Sequence, residues 1–364
     1  MHRRALLLAG LVGVVSSRTA RAEPAAPPAG ALPRRSLTFP RDHGAHPELR
    51  TEWWYITGHA REAGAAGREF GFQVTFFRTR VDATQSMQSA FAARQLIFAH
   101  AALTDVPARK LWHDQRIARE GFGAAAAAAS DAAITLRDWS LTRRPADGTW
   151  LARLPGDDFS LDLLFEPSQP VLLQGDQGLS RKGPEPQQAS YYYSLPQMIA
   201  LGRITLKGQN FDVTGQAWLD HEWSEALLHL DAVGWDWIGM NLLDGSALTA
   251  FRLRDRTGRA LWGGGSYRTR AGALRNFEAG DVVFTPRRFW KSPMSQASYP
   301  VEWTAETPAG TFTVRAVIDN QELDSRASTG AIYWEGLSDL LDTGGRVVGR
   351  GYLEMTGYAQ PLRL

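Results

Sequence analysis

Carboxylic acids set beside tryptophans are the chemically suggestive feature of this 364-residue sequence. Asp220-His221-Glu222-Trp223 places an acid on each side of an imidazole, Glu52 precedes Trp53-Trp54, and Asp236 stands between Trp235 and Trp237. A carboxylate in an aromatic setting costs free energy unless it is paired or protonated, so this placement marks either a polar network or a site. An aromatic, water-poor wall raises a carboxyl pKa by desolvation, which yields an acid still protonated near neutral pH. Tryptophan faces would then attract a developing cation. Asp220, His221 and Glu222 are therefore the candidate acid–base centre. Glu52, Trp53, Trp54, His100, Tyr192, Trp223, Trp235, Asp236 and Trp237 are the candidate ligand contacts. The structural alternative fills cores with the tryptophans and pairs Asp220 and Glu222 with Arg252 or Arg254 across a sheet.

Local conformation decides which of these residues meet. In a strand, Asp220 and Glu222 share one face while His221 and Trp223 share the other, and Trp235 and Trp237 point away from Asp236. In a helix, His221, Glu225 and His229 would form one stripe. That stripe resembles H-E-x-x-H, but position 225 is Glu, so no metal is assigned. His100 lies in the apolar run Leu96–Leu103, where a satisfied core histidine competes with a ligand contact. His43 and His46 precede Pro47 in a loop and are expected to be exposed. There is no G-x-S-x-G elbow and no phosphate-binding loop. Gly121-Phe122-Gly123-x-x-Ala126 follows a charged stretch rather than a buried strand, so it does not read as a dinucleotide site.

The elements that must position these groups are strands. Phe70, Phe72, Val74 and Phe76 alternate with smaller or polar residues, as do Leu161, Leu163 and Phe165, and Phe312, Val314, Ala316 and Ile318. Asp244-Gly245 between two apolar runs predicts a hairpin joining Trp235–Leu243 to Ser246–Leu253. Gly123–Ala133 alone has helical propensity, and without an apolar stripe it reads as a loop or short surface helix. No regular βα alternation occurs, so the fold class is all-β. A break near Trp218–Leu230 divides the chain into two domains, 37–219 and 220–364, after a leader (1–22) and an Ala/Pro-rich linker (23–36).

The leader is read from Arg3-Arg4, an apolar run Ala5–Val15 and Ala20-Arg21-Ala22, which together form a secretory signal of Sec or twin-arginine type, giving a periplasmic or secreted product. The run is too short to span a membrane. Losing Arg3, Arg4, Arg18 and Arg21 takes 40 basic residues to 36 against 38 acids, a balance with no basic stripe and no call for nucleic acid. The absence of cysteine excludes disulfides, thiolate metal sites and a cysteine nucleophile.

Several segments together resemble a known family: His46–His59 (HPELRTEWWYITGH), Phe70–Arg78, Ala99–Asp105, Tyr191–Met198 (YYYSLPQM), Gly215–Trp223 (GQAWLDHEW), Gly234–Gly245 (GWDWIGMNLLDG), Tyr333–Gly336 and Gly351–Ala359. The sequence is similar to secreted two-domain lipocalin-like proteins related to AttH and to bacterial carotenoid 1,2-hydratases. The resemblance implies two lipocalin-like antiparallel β-barrels side by side, with a ligand cavity in or between them. It implies hydration of an isoprenoid double bond without a cofactor. It also implies a His-x-Trp pair, here His221 and Trp223, and a Tyr and an Asp on a following strand. That strand reads Leu248–Leu253 here and carries neither. The expected partner is an apolar small molecule or lipid, possible polyene chemistry included. The leading expectation is a hydratase or isomerase. The alternatives are a non-catalytic lipid carrier or chaperone and a carbohydrate-active hydrolase, since fold does not fix function.

Overall fold

The computed structural model describes residues 31–64, 67–226 and 228–362. The expected leader and most of the linker lie outside the described residues. The first antiparallel sheet contains β1 (Thr51–Glu62), β2 (Glu69–Arg80), β3 (Gln95–Asp105), β4 (Lys110–Arg119), β5 (Ala125–Ala127), β6 (Ala133–Leu136) and β7 (Trp139–Arg143). It continues through β8 (Trp150–Leu154), β9 (Phe159–Glu166), β10 (Leu172–Leu173), β11 (Leu179–Arg181), β12 (Ala189–Leu206) and β13 (Gln209–Ala226). The second sheet begins with β14 (Gly234–Leu242), β15 (Ala247–Arg254), β16 (Ala260–Arg268), β17 (Leu274–Phe277) and β18 (Val283–Lys291). It is completed by β19 (Ser298–Thr307), β20 (Gly310–Ala316), β21 (Glu322–Ser325), β22 (Ala331–Leu341) and β23 (Val347–Met355).

The first sheet runs β4-β3-β2-β1-β13-β12-β9-β8-β7-β6-β5. It curls until β3 and β4 approach β5 and β6, which nearly closes a barrel. Its core takes the inward face of each alternating run: Phe70, Phe72, Val74 and Phe76 from β2, and Leu161, Leu163 and Phe165 from β9. The second sheet runs β17-β16-β15-β14-β23-β22-β20-β19-β18 around a separate core that includes Ile238, Met240, Trp303, Trp334 and Leu353. The predicted hairpin joins β14 to β15 around Asp244-Gly245, where Gly245 takes φ +87°. The change of sheet lies between Ala226 and Gly234, later than the division expected from the sequence, so Asp220–Trp223 belong to the last strand of the first sheet.

Gly123–Ala133 does not form a helix. Positive φ at Gly121, Phe122 and Gly123 stops one from starting, and Ala125–Ala127 pairs instead with β6. Sheet pairing overrides the helical preference of alanine. Tyr191–Met198 is explained by a bulge: β12 keeps Tyr191–Leu195 in register with Trp223–Leu219, then slips at Pro196-Gln197. The bulge aims the Gln197 amide at the β14–β15 hairpin of the second barrel, with bonds to Leu242 O at 2.9 Å and Ser246 O at 2.7 Å. Gly71 on β2 permits another close approach, because a Cβ there would meet the Tyr352 hydroxyl of β23 at 2.8 Å.

Candidate functional site

Strand alternation divides the sequence-predicted residues among three places. On β13, Asp220 and Glu222 face the second barrel, whereas His221 and Trp223 point into the first. On β1, Trp53 and Tyr55 face outward, and Glu52 and Trp54 point inward. On β14, Trp235 and Trp237 face outward, and Asp236 points into the second barrel. Trp53, His100, Tyr192, Asp220, Glu222, Trp235 and Trp237 thus meet at one cavity of about 660 Å³ between the barrels. Glu52, Trp54, His221 and Trp223 do not reach it, nor does Asp236. The expectation that Asp220, His221 and Glu222 act as one centre is therefore corrected: neighbouring residues of a strand point to opposite faces.

The cavity walls are aromatic and aliphatic. Phe77 and Phe98 stand on the first barrel's side, and Phe251, Leu253 and Ile332 on the second's. Into this wall Asp220 is buried with three hydrogen-bond partners. Ser194 Oγ and Trp218 Nε1 donate to Oδ1 at 2.5 and 2.7 Å, and the Tyr192 hydroxyl lies 2.7 Å from Oδ2. Burial outweighs those bonds and lifts the Asp220 pKa to about 7. Trp237 Nε1 donates to the same Tyr192 oxygen at 3.3 Å. When Asp220 is protonated and donates to Tyr192, the tyrosine's own proton is left to point at the cavity. Burial first, then the charges of Asp220 and Glu222, hold that phenol well above its ordinary pKa.

Glu222 has a different environment. Lys182 Nζ lies 2.9 Å from its Oε1 and also sits over the rings of Tyr192 and Phe251 at 4.8 and 4.3 Å. Neither Arg252 nor Arg254 pairs with Asp220 or Glu222. Both turn to Asp236, at 2.7 and 3.6 Å, inside the second barrel, where Tyr358 also donates to Asp236. Two carboxyls that sequence reasoning did not select complete the cavity. Glu335 on β22 and Glu354 on β23 are directly opposed cross-strand partners on its wall. Burial, followed by the charge of Glu354, raises Glu335 well above the ordinary carboxyl range, and burial with neighbouring acids raises Glu354 to about 7. The signal for them was an acid beside aromatics in Tyr333–Gly336 and Gly351–Met355. Their opposition across two strands is not visible in a linear reading. Lys182 and Gln73, also at the cavity, carried no signal of that kind.

The inward set forms a closed polar network beneath the N-terminal segment. His46, expected exposed, is buried, with Nδ1 2.7 Å from Glu52 Oε1 and Nε2 2.9 Å from Asp42 Oδ1. His221 Nε2 lies 2.9 Å from the same Glu52 oxygen, and Arg78 Nε donates to Glu52 Oε2 at 2.7 Å. Trp223 stacks on His46 at 4.0 Å and Trp54 on His221 at 4.8 Å. His43, also expected exposed, is buried against Tyr193, its Nδ1 2.6 Å from the phenol oxygen. Burial opposes charge on Glu52 and on His46, but their mutual hydrogen bond, the further bonds to His221 and Asp42 and the Arg78 charge win, so Glu52 is held below and His46 above their ordinary values. Ligand atoms of His46, Glu52 and His221 lie within 4.8 Å of one another. A cation there would face the Arg78 guanidinium and replace hydrogen bonds already made by both imidazoles, so the donor set fits an ion-pair network rather than a metal centre. The helical stripe His221–Glu225–His229 does not exist, because position 221 is in a strand and Glu225 pairs with Arg80 at 2.7 Å.

The sequence matches the AttH-like family over residues 30–358. A solved structure from Nitrosomonas europaea assigned as an AttH superposes with a TM-score of 0.83 at 45% identity, covering 92% of this chain and 99% of the other. Kievitone hydratase of Nectria haematococca superposes with a TM-score of 0.69 at 12% identity, covering 89% and 94%. CghA does so with a TM-score of 0.51 at 12% identity, covering 86% and 90%. The last two are likenesses of fold, and that fold is lipocalin-like. No curated protein matches.

Proposed function

The chain belongs to the AttH-like family, and from that premise we propose that it is a hydratase-type enzyme that adds water across a carbon–carbon double bond of an apolar substrate held between its barrels. One observation carries this reading: Asp220 is a carboxyl buried in an aromatic cavity wall and bonded to Tyr192, where burial lifts its pKa to about 7. The Asp220–Tyr192 pair delivers a proton to one alkene carbon, and the adjacent carbon becomes a cation beside the faces of Trp237 and Phe251. A water oxygen then bonds to that carbon. Its surplus proton returns to the Asp220–Tyr192 pair, so the net change is one water added and the acid is restored. The fold of kievitone hydratase is consistent with this chemistry. The leader expected at residues 1–22 supports the further proposal that this reaction takes place outside the cytoplasm.

The test is incubation of the purified protein with a panel of acyclic isoprenoids and prenylated phenols in ¹⁸O-labelled water. The expected result is a product heavier by one labelled water with the native protein and none with Asp220→Asn, while tryptophan quenching reports that the variant still binds. Equal product from both proteins overturns the role of Asp220. Tight binding with no product from any panel member leaves a carrier.

A further inference from the structure

Among the described residues, Gln73 Oε1 has no hydrogen-bond partner at one end of the cavity, and the Tyr55 hydroxyl and Glu335 Oε1 beside it have none in good geometry, although Tyr55 and Glu335 are close enough to interact with each other. Tyr55, Gln73 and Glu335 are 6%, 1% and 2% exposed, and all three line the cavity. Unmade bonds on buried polar groups are costly, and an unmatched acceptor beside a poorly matched Tyr55–Glu335 pair points to a missing partner.

The orientation of Gln73 is fixed by its neighbours. Its Nε2 donates to Glu335 Oε2 at 2.8 Å, and it also reaches Thr75 Oγ1 at 3.1 Å and the Tyr333 hydroxyl at 3.2 Å. Tyr333, accepting there, gives its own proton to His100 Nδ1 at 2.8 Å. His100, kept neutral by burial with its pKa near 3, donates from Nε2 to Ser328 Oγ at 2.9 Å. Ser328 in turn donates to Gln115 Oε1 at 2.6 Å. Every proton in this relay runs one way, from Gln73 outward. The Gln73 carbonyl oxygen is therefore left as an unmatched acceptor on a residue that lines the cavity, and only a donor can complete it. Lys182, the ammonium on the cavity wall, is already engaged by Glu222, so it does not pair an anionic ligand.

We propose that this end of the cavity is a subsite for a neutral hydroxyl group on the ligand, so that the substrate is an apolar alkene bearing an alcohol or phenol rather than a hydrocarbon or a carboxylic acid. The hydroxyl donates to Gln73 Oε1 and accepts from Tyr55 or from protonated Glu335. Trp235 and Trp237 lie along the same cavity, with Asp220 beside Tyr55 on the neighbouring strand. The inference rests on reading the cavity as the substrate site, and it does not depend on any reaction there.

Binding alone tests it. Farnesol, farnesyl methyl ether and farnesene share an apolar body and differ in the polar end. Tryptophan quenching of the native protein is expected to give farnesol an affinity about tenfold or more above the other two, as an unpaired buried acceptor would dictate. In Gln73→Leu that preference should shrink toward unity while farnesene binding holds or improves. Equal affinity for the three probes in the native protein, or no farnesol binding up to its solubility, overturns the subsite and means that water satisfies these atoms. A preference that survives Gln73→Leu overturns it as well. An alcohol preference without any hydration product would refute the proposed activity and leave the subsite standing. Hydration without the preference would do the reverse.

Discussion

Asp220→Asn should change how stability depends on pH, and the size of the change can be worked from the site. The amide keeps the shape of the carboxyl. Its oxygen can still accept from Ser194 and Trp218, and its NH₂ can donate to Tyr192. Only the titration is lost. In the native protein the carboxyl moves from its ordinary value of 3.8 in the unfolded chain to about 7 in the fold. At roughly 1.4 kcal/mol per unit, that difference is worth about 4 kcal/mol. The sign follows from proton counting. Between pH 4 and 7 the unfolded chain has shed this proton and the folded chain has kept it, so native stability falls as pH rises and levels off above 7. The variant lacks that fall. Relative to native protein it should gain about 3 kcal/mol between pH 4.5 and 8, and somewhat more because removal of the Asp220 charge also lets Glu354 ionise more easily. Urea unfolding followed by tryptophan fluorescence at pH 4.5, 6 and 8 measures the difference. Parallel stability curves for the two proteins would mean that Asp220 is ionised throughout, and the acid assigned to the reaction would be gone.

Lys182→Met should destabilise the fold by roughly 3–5 kcal/mol, because it leaves Glu222 buried without its cation. Adding Glu222→Gln should recover most of that loss in a double-mutant cycle read by urea unfolding; no recovery would mean that the pair is not coupled. Trp54→Ala and Trp237→Ala should separate cleanly. The first empties the core of barrel one and should cost about 3–5 kcal/mol of stability with farnesol affinity unchanged. The second should weaken farnesol binding, and a reversed pattern would contradict the assignment of the two rings to opposite faces.

The fold was legible because its strands carry one buried face, as in Phe70–Phe76, and because Asp244-Gly245 is turn chemistry that little else tolerates. The site was legible in part. Period-two spacing already placed Asp220 with Glu222 and Trp235 with Trp237, but a linear reading grouped His221 with its neighbours in sequence instead of its neighbours in space. His43 and His46 were misjudged because a loop before proline ordinarily faces water. Here that segment is drawn under the barrel by Glu52, Asp42 and Tyr193, partners that local sequence does not announce. Glu335 and Glu354 came from strands whose pairing is a tertiary fact, and Gln73 became meaningful only through the direction of a hydrogen-bond relay assembled from both barrels.

Trp223 and His221 pin the interior of one barrel while Asp220 and Glu222, interleaved with them, furnish the space outside it. The stretch Asp220–Trp223 is thus two messages written in alternate letters, and they tolerate different kinds of change. A substitution at 220 or 222 edits the chemistry and leaves the barrel's message intact. A one-residue insertion in β13 would exchange the readers, sending the carboxyls into the aromatic core and the imidazole into the cavity, so that both messages would fail together. New activities can therefore arise on this scaffold by replacing letters on the outward face, on Trp53, Tyr55, Trp235 and Trp237 as much as on Asp220, whereas length changes within these strands are closed to it.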